Sequence, residues 1–319
     1  MTGTERALVL NAASSWGAYQ VGALRHLVGD MSLHFDLCAG TGIGAMNAAL
    51  VACGEFDALE EWWRRVSLRR LISPNWRAPW RRGPVLPTPQ RRFLAAHVSE
   101  KKLRERGTRL MVSMLDLQSG EERVHIYPGC DIPILDALTA AISTPGLHPP
   151  LRHRGRQLVS ATLANNFLLP KVLRHPFAEV FVVAAIIPRK GVWRTYDTAL
   201  SALHRNVLMN QAHDIRQGLA DAQQSAQADA AFRHVARNVP GVADRVMDAD
   251  VRERLQSRLE HIYARATTQG QGDRPPVVRS ITPSRDLDFP IWRFRAADLA
   301  SAHELGYGDA RAAMSGVSR

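Results

Sequence analysis

Residues 33–53 read LHFDLCAGTGIGAMNAALVAC, and this stretch decides the fold. The apolar run from Leu33 to Ala39 predicts a buried strand, and Gly40-Thr41-Gly42-Ile43-Gly44 predicts a sharp turn. The small residues from Ala45 to Cys53 predict a helix that can pack closely on a sheet. Strand, tight turn and helix in this order are typical of open α/β sheets.

The same plan occurs once before this stretch, where Ala7 to Leu10 predicts a strand and Trp16 to Val28 a helix. Further strands are predicted at 110–115, 122–127, 180–187 and 277–281, and further helices at 56–65, 132–142, 197–266, 296–304 and 308–314. Residues 67–92 contain several prolines and are predicted to be irregular. We find neither a repeat nor a linker, so we predict one domain over residues 1–319, with an Arg/Trp-rich inserted region at about 62–92 and a helical region at about 197–266.

The composition is that of a globular protein, with 45% hydrophobic and 22% charged residues. A net charge of +11 favours contact with nucleic acid, anionic lipid or an acidic partner, although an arginine-rich solvated surface explains it equally well. Cys38, Cys53 and Cys130 are far apart, so we expect neither a zinc site nor a disulfide framework. The sequence has no glycine-rich phosphate loop of the P-loop type, and we expect no cofactor. Neither a signal peptide nor a spanning apolar run is found, which predicts a cytoplasmic protein that could lie peripherally at a membrane.

Seven patterns, in order along the chain, resemble those of patatin-like phospholipases. They lie at 8–24, 36–49, 115–121, 140–151, 158–170, 205–214 and 306–310. The resemblance implies an α/β fold of three layers, in which helices flank a central, mostly parallel sheet. It also implies an enzyme class, because patatin-like enzymes hydrolyse acyl esters of lipids with a serine–aspartate dyad.

The catalytic positions of this family carry other residues here. The nucleophile elbow, Gly-x-Ser-x-Gly in the family, keeps Gly40 and Gly44 but has Gly42 at the serine position. The aspartate motif, Asp-Gly-Gly in the family, matches Ser160-Ala161-Thr162, so that Ser160 takes the place of the base. Thr41 is adjacent to the nucleophile position, but a neighbouring elbow residue points elsewhere.

The oxyanion loop has also changed. In the family it is a run of glycines followed by a basic residue and another glycine. Its positions here are Asn11, Ala12, Ala13, Ser14, Trp16 and Gly17. Side chains at these positions restrict how closely a substrate carbonyl can approach the backbone amides that would stabilise it. Since losing the nucleophile alone costs roughly 10⁶ in the turnover of a serine protease, we expect no ordinary serine lipase.

We therefore favour a catalytically degenerate patatin-like protein that binds a lipid or acyl group, or acts as a scaffold or regulator of a protein partner. The alternative is an enzyme with a repurposed site for acyl transfer, isomerisation or cyclisation, in which His148 would be the base and Ser160 the nucleophile. A residual hydrolase that uses Ser14 or Ser15 ranks third, because neither serine lies on the elbow. Cys38 and Asp116 are expected to be structural.

The segment from Trp62 to Arg92 interleaves four tryptophans with nine arginines. Tryptophans that pack a lid onto the body, with arginines outward, would explain it. Contact with an anionic membrane surface would also explain it, because indole favours the headgroup region and guanidinium pairs with phosphate. Stacking on single-stranded nucleic acid is the reading we weigh least. We find no cluster with metal-ligand spacing and expect no metal.

Overall fold

The computed structural model describes residues 5–71, 73–74, 84–164, 167–186, 198, 202, 205–224 and 276–315. Its strands are β1 (Arg6–Leu10), β2 (Leu37–Gly40), β3 (Ser73–Pro74), β4 (Val85–Leu86), β5 (Arg109–Asp116), β6 (Glu122–Tyr127), β7 (Leu151–His153), β8 (Arg156–Ser160), β9 (Glu179–Val183) and β10 (Val277–Ile281). Its α-helices are α1 (Gly17–Leu24), α2 (Ile43–Ala52), α3 (Phe56–Arg65), α4 (Leu68–Leu71), α5 (Thr88–His97), α6 (Glu100–Arg106), α7 (Ile134–Ile142), α8 (Leu169–Val172), α9 (205–224) and α10 (Ala296–Met314). None of the helices in these ranges is long and apolar enough to cross a membrane.

One mixed sheet organises the described residues. Its strand order is β10-β9-β1-β2-β5-β8-β7, and β6 pairs with β5. The run from β10 to β5 is parallel, whereas β6, β8 and β7 pair antiparallel. Leu8 of the buried strand β1 lies opposite Cys38 on one side and Phe181 on the other. The α/β fold with a mostly parallel sheet flanked by helices is confirmed.

Helices α1 and α10 pack at very close range. A Cβ added at Gly22 of α1 would lie 1.8 Å from the His303 carbonyl oxygen, and one at Gly306 of α10 would lie 2.0 Å from the Tyr19 carbonyl oxygen. Both glycines are therefore needed for the two backbones to approach. This contact also explains a wrong prediction, because the chain after residue 304 does not break but continues as the single helix α10.

The segment that precedes β2 and the segment that follows α3 also differ from the predictions. The helix predicted from Trp16 to Val28 begins with a 3-10 turn and ends as a π-helix, Arg25–Asp30. The Leu33 amide donates to the Leu27 carbonyl (2.9 Å), so the strand starts only at Leu37. The irregular segment predicted at 67–92 contains α4, β3, β4 and the first turn of α5, where a proline without an N–H is tolerated.

Parts of two predicted regions lie outside the described residues. Of the Arg/Trp-rich region, these are residue 72 and residues 75–83, which include Trp76 and Trp80. Of the helical region predicted at 197–266, the structure describes the helix α9 and residues 198 and 202.

Candidate active site at the elbow

The turn between β2 and α2 has the backbone shape of a nucleophile elbow. Gly42 lies there at φ +53° and ψ −131°, in a region that favours glycine. A Cβ added at Gly44 would lie 2.4 Å from the Asn11 carbonyl oxygen, and one at Gly40 would lie 2.4 Å from the Gly44 carbonyl oxygen. The two flanking glycines are thus required by sterics, whatever stands between them.

The space in which a side chain at position 42 would begin is already occupied. A Cβ built there would lie 2.6 Å from the Ala12 Cβ, closer than the 3.0 Å that real Cβ contacts respect. It would also lie 3.1 Å from the Thr162 Oγ1. The loop before α1 and the segment after β8 therefore meet at the elbow, and the alanine methyl fills the place of the missing side chain.

The loop that precedes α1 directs one of its amides into the protein. The Ala12 N–H donates to the Thr41 Oγ1 (3.0 Å), and Thr41 is itself fully buried. Ser14 adopts φ +47°, so the loop keeps a left-handed conformation although a side chain is present. Oxyanion stabilisation requires amides that point at the developing charge, and the Ala12 amide already has a protein acceptor.

The segment that the sequence resemblance places at the family's aspartate position is neutral. Ser160 is buried at the end of β8, and its hydroxyl shares a short hydrogen bond with the Thr162 hydroxyl. The Ser160 amide donates to the Ser143 carbonyl (2.9 Å), which anchors the segment to the end of α7. The Thr162 carbonyl accepts a hydrogen bond from Nε2 of Gln211 in α9 (3.3 Å). Sequence reasoning missed Gln211, whose Oε1 is buried without a partner among the residues that the structure describes.

Comparison with known proteins identifies this arrangement. Residues 8–173, more than half of the chain, match the patatin-like phospholipase family. The chain belongs to this family. The elbow at Gly42 and the segment at Ser160 both lie inside the matched range.

Two solved structures resemble this patatin-like protein. VipD from Legionella pneumophila is 11% identical, with a TM-score of 0.53 over 98% of this chain and 67% of VipD. The type III effector protein ExoU is 15% identical, with a TM-score of 0.33 over 83% of this chain and 65% of ExoU. The chain thus spans about two thirds of the length of each, and the likeness to VipD supports the fold alone.

A buried hydrogen-bond network runs under the patatin-like elbow. Its members are the side chains of Asn11, Gln20, Asn47 and Trp63. The Trp63 Nε1 donates to the Asn47 Oδ1 (2.9 Å), and the Asn47 Nδ2 donates to the Gln20 Oε1 (3.0 Å). The Gln20 Nε2 donates to the carbonyl (2.8 Å) and the Oδ1 (3.1 Å) of Asn11. The network ties α3, α2 and α1 to the loop.

Close packing against other helices also requires the glycine at position 17 of the loop. A Cβ added there would lie 2.7 Å from the Trp63 ring and 3.1 Å from the Cγ2 of Ile43, the first residue of α2. The neighbouring Ala13 is buried in the core. These loop positions therefore serve packing between α1, α2 and α3.

The other end of the loop is covered by the segment that precedes α10. The Ser15 Oγ donates to the Ile291 carbonyl (2.7 Å), and the Trp16 Nε1 donates to the Phe289 carbonyl (2.9 Å). The Trp16 and Phe289 rings pack edge to face, with centroids 6.3 Å apart. Ser15 is fully buried with its hydroxyl proton engaged, which disfavours it as a nucleophile.

The replacement base suggested by the sequence contacts its own loop. The His148 Nδ1 accepts a hydrogen bond from the Thr144 amide (3.1 Å), and the Leu147 carbonyl accepts one from Val85 of β4 (3.1 Å). Burial lowers the pKa of His148 to about 4, below the range that suits a general base at neutral pH. In the described part of the chain no hydrogen bond joins His148 to Ser160.

Two further residues have structural surroundings. Cys38 is fully buried in β2, and burial raises the pKa of its thiol, so the reactive thiolate is disfavoured. The side chain of Asp116 is fully buried, and its carboxylate pairs with Arg156 and with Arg123 (2.9 Å). Within the described ranges no three residues of the ligating types group as a metal site would require.

Proposed function

We propose that this protein is a non-hydrolytic member of the patatin-like family that binds a lipid or acyl ligand in a scaffolding or regulatory role. One observation carries the proposal. The elbow keeps its backbone shape at Gly42, but the Ala12 methyl takes the space of a nucleophile side chain. The fold is thus preserved, but the space that a nucleophilic side chain at position 42 would need is filled by Ala12.

The other parts of a hydrolytic site support the same conclusion. A hydrolase needs a base to take the hydroxyl proton, and Ser160 and Thr162 supply neutral hydroxyls bonded to each other. It also needs amide donors for the oxyanion, and the Ala12 amide is bonded to Thr41. Gly42 supplies no nucleophile, the hydroxyls at the base position bond to each other, and one loop amide already has an acceptor within the protein, and all three observations support the proposal.

The repurposed enzyme is the second candidate, and the polar groups beside the elbow favour it. The Ser160 and Thr162 hydroxyls, and the Gln211 Oε1, which has no hydrogen-bond partner among the described residues, could bind a substrate that presents a hydrogen-bond donor. Its base is the weak point, because His148 is held by Thr144 with a pKa of about 4.

Hydrolysis of short- and medium-chain nitrophenyl esters tests the proposal. The wild-type protein is compared with Gly42→Ser/Ser160→Asp and with the triple variant Ala12→Gly/Gly42→Ser/Ser160→Asp. We expect the background rate from wild type and a rate above background from the triple variant, since Ala12→Gly clears the space that a serine at position 42 would need. The double variant should remain below the triple.

The same assay distinguishes the non-hydrolytic protein from the repurposed enzyme. Wild-type turnover that disappears in His148→Ala or Ser160→Ala would overturn the proposal in favour of the repurposed enzyme. Wild-type turnover that persists in both variants and disappears in Ser14→Ala would favour the residual hydrolase.

A further inference from the structure

A pocket of about 370 Å³ lies between α3, α4 and α5, away from the elbow. Trp62, Leu71 and Phe93 provide its apolar walls, and Arg65 and Arg70 also line it. Its volume is at the small end of the range for ligand pockets, about 300–1,000 Å³. We call it the α3–α5 pocket, and it shares no lining residue with the elbow.

The aromatic wall is held in place by neighbouring side chains. The Trp62 and Phe93 rings stack with centroids 5.7 Å apart. Trp62 also packs edge to face on Trp63 (5.2 Å), which is buried and anchored to the hydrogen-bond network below the elbow. A wall that is ordered before binding reduces the entropy lost when an apolar chain enters.

The charged groups around the pocket leave a cationic edge. Glu61 pairs with both Arg65 and Arg64, so one carboxylate is shared between two guanidinium groups. The Arg70 Nη1 donates to the Arg65 carbonyl (3.0 Å), which uses one of the five N–H donors of the Arg70 side chain. Guanidinium binds carboxylate and phosphate oxygens in pairs, so an anionic group beside the apolar walls would be recognised here.

We propose that the α3–α5 pocket binds a free single-chain amphiphile, an acyl chain of short to medium length with an anionic head group. The chain would lie against Trp62, Phe93 and Leu71, and the head group would accept hydrogen bonds from Arg70. This inference deepens the proposed function and rests on it, since it gives the acyl ligand a chemistry and a location.

The test is calorimetric titration of the full chain with decanoate at monomeric concentrations, beside decanol and decyltrimethylammonium. We expect decanoate to bind tightest of the three. Arg70→Ala should weaken decanoate binding by about tenfold, since it removes charge-assisted hydrogen bonds. Arg69→Ala is the matched control, because Arg69 is an exposed neighbour that does not line the pocket.

A variant that fills the pocket tests the binding site without changing the charge of the protein. Ala58 lines the pocket on α3, and Ala58→Leu should abolish binding while a good helix former keeps α3 intact, as circular dichroism would verify. Equal affinity for decanoate and decanol, equal effects of Arg70→Ala and Arg69→Ala, or no decanoate binding would each overturn the inference. Binding to phosphatidylglycerol vesicles without binding of decanoate would also overturn it, in favour of a membrane surface.

The inference and the proposed function can fail separately. Ester hydrolysis by the wild-type protein would overturn the proposed function while leaving decanoate binding at the α3–α5 pocket as measured. Absence of decanoate binding would overturn the ligand proposed for the α3–α5 pocket, but it would not affect the proposal that the protein does not hydrolyse esters.

Discussion

The Ala12 Cβ lies 2.6 Å from the point where a Cβ at Gly42 would stand. The two residues come from different strand–helix turns, yet each determines what the other can be. When residue 12 is alanine, glycine fits at position 42 without a clash, because it has no Cβ. With a side chain at 42, the loop before α1 would have to move or position 12 would have to be glycine.

The first prediction measures this dependence. Gly42→Ser in the wild-type background should lower the free energy of unfolding by about 2–4 kcal/mol, because it adds a clash to a backbone with positive φ. In the Ala12→Gly background the same change should cost less by about 1 kcal/mol or more. A double-mutant cycle from urea unfolding gives the coupling, and additivity within about 0.5 kcal/mol would refute the contact.

The second prediction concerns the helix pair. Gly306→Ala should lower the free energy of unfolding by about 2–3 kcal/mol, since the added methyl would meet the Tyr19 carbonyl at 2.0 Å. Gly308→Ala is the control on the same helix, with nothing within 4 Å of the new Cβ, and should raise stability by up to about 1 kcal/mol. Thermal melts compare the two, and changes of the same sign would contradict the close packing of α1 and α10.

The third prediction concerns the buried network. Trp63→Phe removes the indole N–H and leaves the buried Asn47 Oδ1 without that donor. Trp62→Phe loses the same volume from a half-buried neighbour. Urea unfolding should therefore show that Trp63→Phe costs about 1–3 kcal/mol more than Trp62→Phe, from the lost hydrogen bond together with the larger cavity cost at the more buried Trp63. Equal losses would mean that the network adds nothing to stability.

The fourth prediction is a pH dependence at Asp116. Hydrogen bonds from Arg156 and Arg123 hold the pKa of its carboxyl well below the ordinary value. Since the native state favours the ionised form, the resulting stability is present above the unfolded pKa of about 3.9 and is lost as pH falls toward the native pKa. Asp116→Asn should be less stable than wild type at pH 7, and the gap should narrow below about pH 4. Chemical denaturation at several pH values measures it, and a constant gap would contradict the assignment.

Much of the sheet could be predicted from the sequence because its signals are local. The apolar run of β1, the glycine-rich turn after β2 and the hairpin of β5 and β6 each lie within a few residues. The glycines at 40 and 44 were retained for steric reasons that a sequence pattern records directly. Helix α10 was predicted as two helices because a glycine usually weakens a helix, whereas Gly306 is needed for contact with Tyr19.

The details of the site could not be predicted, because their partners are distant in sequence. Trp63 reaches Asn47 from another helix, and Trp16 reaches Phe289 across 273 positions. The overlap of Ala12 with position 42 depends on the path of two loops, which no local pattern records. The hydrogen bond from the Thr144 amide to His148 spans only four positions, but it depends on the fold of the turn after α7, which the sequence pattern does not record.

The most direct test of the central claim is mass spectrometry after treatment with a fluorophosphonate, which forms an adduct with an activated serine. We expect no adduct on the wild-type protein, because Gly42 carries no nucleophile and Ser15 and Ser160 are buried with their hydroxyls engaged. We expect an adduct on the serine introduced at position 42 in Ala12→Gly/Gly42→Ser/Ser160→Asp. A stoichiometric adduct on any serine of the folded wild-type protein would contradict the proposal that this protein has no catalytic serine.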